Sequence, residues 1–69
     1  MLELAEYDYG KAIGLSPNSN DFILSRADIR IKLGKFQDAI QDLDRLVRLG
    51  TPRAALKEWY AKALGKKKK

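Results

Sequence analysis

The chain has 69 residues, 33% of them charged, with neither cysteine nor histidine. That length holds one small core, and the missing side chains remove disulfide frameworks, the usual zinc, haem and iron–sulfur ligand sets, and the commonest general base. The net charge of +5 is concentrated in Lys66 to Lys69; residues 1–65 carry 10 Lys and Arg against 9 Asp and Glu, a balance of +1, which argues against nucleic-acid binding by the body.

No apolar run approaches the ~18 residues of a membrane span. The stretch Met1 to Tyr9 is acidic where a secretion signal would be basic. The sequence therefore predicts a soluble chain, cytoplasmic or recombinant, with no catalytic residues, no cofactor and no metal. Ser16, Ser19, Ser25 and Thr51 have no base in sequence reach and suit turns and caps.

The first predicted helix covers 2–15, with Ala5, Tyr9, Ala12 and Ile13 forming one apolar stripe. Pro17 stops it, and Asn18 or Ser19 is placed to cap the next. The second helix covers 20–33, with Ile23, Leu24, Ala27 and Ile31 recurring at helical spacing and Gly34 just beyond its end. The third covers 36–49, burying Phe36, Ala39, Ile40, Leu43, Leu46 and Val47 and turning Gln37, Asp38, Gln41, Asp44, Arg45 and Arg48 outward. Gly50, Thr51 and Pro52 read as a helix-ending glycine, an N-cap and a first helical residue. A closing helix over 52–64 follows, with Leu56, Trp59, Tyr60, Ala63 and Leu64 on one stripe, and the like-charged block 66–69 is expected to be disordered. Linkers this short make neighbouring helices antiparallel, so the fold class is all-α, four helices in a row of hairpins.

Shifting the chain by 34 residues places Ala5 over Ala39, Tyr9 over Leu43, Ala12 over Leu46, Ile13 over Val47 and Leu15 over Leu49. The first and third helices are thus copies of one element. A helix–turn–helix unit with a 34-residue period resembles the tetratricopeptide repeat. One full unit over 20–53 matches its pattern with Ile23, Ala27, Gly34, Phe36, Ala39 and Leu43, and the Arg26 and Asp42 positions resemble a common subclass. Residues 1–19 look like the second helix of a preceding unit, with Ala5, Tyr9, Ala12 and Pro17 as its landmarks. Arg30, Leu46 and Thr51 depart from the family's tyrosine, alanine and proline.

The resemblance implies an α-α superhelix that binds a peptide or protein on its concave face. Asp21, Leu24, Asp28, Ile31 and Lys32 would form that groove, facing the closing helix. As a plain solvated face, the same residues include an Asp28–Lys32 pair at i, i+4. Leu24 and Asp28 stand where some members carry lysine or asparagine for a carboxylate, which disfavours an acidic-tail ligand. Arg26 and Asp42 are expected to form a two-pronged structural ion pair. Trp59 and Tyr60 are expected to cap the last hairpin in preference to forming a ligand platform. A competing expectation is a truncated or engineered fragment that self-associates as a homo-oligomer through Leu4, Ala5, Tyr9 and Ala12, because arrays of about three units are needed for stability alone. A third, weaker one is nucleic-acid binding through the lysine tail.

Overall fold

Pro17, Gly34 and Gly50 divide the chain into helices in a computed structural model that describes residues 1–65. Helix α1 covers Leu2–Leu15, α2 Asn20–Lys32, α3 Phe36–Arg48 and α4 Lys57–Ala63, the last preceded by a 3-10 turn at Arg53–Leu56. There is no strand among the described residues, and none of the helices is long and apolar enough to cross a membrane. The expected lysine tail lies outside the described residues.

The helix ends follow from local chemistry. Ser19 caps α2, its hydroxyl oxygen accepting from the Phe22 amide at 3.4 Å. Gly34, at φ +79°, closes α2: its amide donates to the Ile31 carbonyl at 3.0 Å and the Lys35 amide to Arg30 at 2.8 Å. Gly50, at φ +115°, closes α3 in the same way, with its amide on Val47 at 3.0 Å and that of Thr51 on Leu46 at 2.9 Å. Both are paired-bond terminations that need a left-handed residue, which glycine adopts without a Cβ penalty.

Helix α2 is the centre of the packing: it lies against α1 and α3 and also reaches α4, while α3 packs on α4. Ile23, Ala27, Ala39 and Leu43 are wholly shielded from solvent, and Leu46, Leu56, Tyr60, Ala63 and Ile13 complete the same core. The small Ala27 and Ala39 leave room for the backbones of α2 and α3 to approach.

Several boundaries and faces differ from the sequence expectation. Helices α2 and α3 each end one residue early, at Lys32 and Arg48. Thr51 is not a cap: its amide is committed to the turn closing α3, and Pro52, extended at ψ 136°, takes the cap position without a side-chain acceptor. The closing segment therefore starts as a tighter turn, with Ala55 bonded back to Pro52 at 3.0 Å. Phe36, expected inside, is 42% exposed. As the first residue of α3, its side chain tilts back toward the helix start, over the turn and off the end of α2. Leu64, also expected inside, is 57% exposed.

Candidate interaction surface

A buried carboxylate ties the helices together. Asp42 on α3, only 3% exposed, accepts from Arg26 Nε at 3.0 Å and Nη2 at 2.6 Å, the expected two-pronged pairing. Arg30 Nη1 donates to the same carboxylate at 3.1 Å, and Arg30 Nε donates to Glu6 on α1 at 2.9 Å. Lys35 Nζ completes the chain on the other Glu6 oxygen at 2.7 Å. The Lys35 ammonium, followed by the Arg30 guanidinium, holds the Glu6 carboxyl below its ordinary value of 4.5. Each bond is charge-assisted, and no buried side-chain polar atom among the described residues lacks a partner. These residues brace α1, α2 and α3.

The groove residues expected on α2 divide into two kinds. Leu24 and Ile31 are half-buried and pack against the core. Asp21 and Lys32 are exposed, and Lys32 pairs with Asp28 at 3.1 Å. What α2 offers to solvent is thus a mixed-sign polar edge over two aliphatic shoulders.

The strip expected to drive self-association is narrower than the stripe suggested. Leu4 is 58% exposed, but Ala5, Tyr9 and Ala12 are half-buried, with the Tyr9 ring 6.2 Å from that of Phe22 on α2. Helix α2 covers part of the stripe. Met1, Leu2, Tyr7 and Leu15 are further exposed apolar side chains in and next to α1.

The aromatic pair near the C-terminal end turns inward. Trp59 packs against the core and Tyr60 is buried, its hydroxyl donating to Asp44 at 2.5 Å. Burial, and then the bond to the Asp44 carboxylate, push the Tyr60 phenol up to about 12. The Arg53 guanidinium stacks over the Tyr60 ring at 4.6 Å. Alongside runs an open groove of about 530 Å³, lined by Arg53, Ala54, Lys57, Tyr60, Ala61 and Leu64. A second, of about 370 Å³, lies where α1 meets α2 and is bounded by Glu3, Tyr7 and the Glu6–Arg30 pair.

No protein-family model, curated protein or solved structure matches this chain.

The brace gives Arg30 a role that spacing alone does not suggest: its guanidinium spans from α1 to α3. Glu6, Lys35 and the Tyr60–Asp44 bond were not foreseen. A signal for Glu6 does exist, since it lies on the flank of the apolar stripe one residue from Ala5. Its partners at 24 and 29 residues' distance do not follow from any periodicity.

Proposed function

We propose that this chain is a protein-binding module of the tetratricopeptide-repeat type. It comprises one full hairpin, 20–53, with the second helix of a preceding unit before it and a closing helix after it. It takes a peptide or partner protein on the face shared by α2 and α4, and it has no catalysis of its own. The observation that carries this reading is that α2 touches α4 although α3 lies between them in sequence, as happens when hairpins stack side by side. The thinnest dimension of the molecule, 15 Å, suits two helix layers with axes about 10 Å apart.

The ligand chemistry follows from the α2 edge. Leu24 and Ile31 suit small apolar anchors, and Asp21, Asp28 and Lys32 suit a peptide carrying both charge signs; a run of carboxylates would meet Asp28 unfavourably. The test is to pan a random peptide library against the chain and then measure the selected peptides on Leu24→Arg with Asp28→Arg, and on Tyr7→Ser as a control away from the face. Binding lost in the first and kept in the second supports the reading. Binding equally strong in both would remove the α2 face from it.

Self-association is a second reading, favoured by exposed apolar side chains on two separate surfaces: Leu4 at 58% and Tyr7 at 63% on α1, and Leu64 at 57% beyond α4.

A further inference from the structure

We propose that two copies of this chain join head to tail, with α1 of one copy seated in the groove along α4 of the other. The inference rests on the self-association reading and gives it a geometry.

The 34-residue offset that matches α1 to α3 also places α4 over α2, with Ala61 over Ala27 and Leu56 over Phe22. In α2, the face covered by α3 includes Ile23 and Ala27, both wholly buried, and Arg26 and Arg30, which hold Asp42. Shifted by 34, these become Lys57, Ala61, Tyr60 and Leu64, all of which line the open groove. The groove is therefore the surface of α4 that corresponds to the α3-covered face of α2, and no described helix lies on it. Helix α1 is the α3-like element that, among the described residues, packs on α2 alone.

Asp42, buried between Arg26 and Arg30, corresponds to Asp8 on α1, which is exposed; the same offset puts Tyr60 and Leu64 in place of the two arginines. Around it, Met1, Leu4 and Leu15 are also exposed, with the half-buried Ala5 and Ala12 on the flank of the same face. Seating this face in the groove covers Leu4 and Leu64 together and brings Asp8 to the cationic rim of Arg53 and Lys57. The charges are complementary: with Glu6 committed to the brace, α1 has Glu3 and Asp8 against Lys11, and the groove is lined by Arg53 and Lys57 with no carboxylate. Like-with-like pairing of either surface would put its own sign against itself.

The two surfaces differ, so the contact is not self-complementary and each copy keeps one surface open for the next. Sedimentation distinguishes this from a twofold pair. The wild-type chain, 7.8 kDa, should exceed two chains in mass as its concentration rises through the micromolar range. Leu4→Arg with Asp8→Arg disables α1, and Ala61→Arg with Leu64→Arg disables the groove; each variant alone should stay at the mass of one chain. Mixed in equal amounts they should form two-chain complexes and stop there, since one intact α1 meets one intact groove. A wild type that stops at two chains, with no complex in the mixture, would leave self-association standing and overturn the head-to-tail contact. A wild type that remains monomeric throughout would overturn both. Because the chain has no cysteine, Asp8→Cys and Lys57→Cys chains give an independent measurement: in mixture they should cross-link to each other faster than either does to itself, and the reverse preference would count against the proposal.

Discussion

Asp42 takes three hydrogen bonds from two arginines whose side chains are each 18% exposed. Removing it leaves Arg26 without its acceptor and Arg30 with Glu6 as its remaining carboxylate, in a largely dry site. Asp42→Ala should lower the unfolding free energy by about 3 kcal/mol in urea titration. Arg26→Lys keeps the charge and loses the fork that reaches both carboxylate oxygens, so a smaller loss of about 1 kcal/mol is expected. Equal losses in the two variants would show that charge alone, and not the forked geometry, holds the site. Glu6 makes a separate prediction about pH. Its folded value lies below 4.5, so its stabilisation is complete above 4.5 and disappears as pH falls through the lowered value. The stability gap between wild type and Glu6→Gln should accordingly shrink on acidification and close well below 4.5; a gap independent of pH would mean the ion pairs with Lys35 and Arg30 contribute nothing.

At the scale of the elements, one substitution should act with opposite signs at two glycines. A Cβ at Gly34 or at Gly14 meets no heavy atom within 4 Å, so neither change is governed by crowding. Gly34 stands at φ +79°, where an L-residue is strained, and Gly34→Ala should cost about 1 kcal/mol. Gly14 is inside α1, where alanine is the better helix former, and Gly14→Ala should stabilise by roughly 0.5–1 kcal/mol. Urea midpoints on opposite sides of the wild type would bear this out, and both falling on one side would refute it. The same backbone logic made these turns legible in the sequence: glycine and proline fix where a helix can stop whatever surrounds it. The start of the closing segment was less legible, because Thr51 has two competing uses and only the packing of α3 decides that its amide goes to Leu46.

Across the whole molecule, the all-helical character and the residues of the α2–α3 core were readable from spacing, since Ile23 and Ala27 on α2, and Ala39, Leu43 and Leu46 on α3, recur at helical intervals and are buried. The candidate site was readable only in part. Leu24 and Ile31 fall on an apolar stripe that serves both groove and core, and spacing cannot divide a side chain between the two. Leu64 and Phe36 were misplaced because both lie at helix ends, where a periodic stripe continues on paper after its covering neighbour has stopped. Helix α1 commits a single buried side chain, Ile13, against four on α3. In amide exchange with heavy water, its protons should therefore be replaced ahead of those in α2 and α3. A docked second copy should slow that replacement in α1 and leave the centre of the molecule almost untouched.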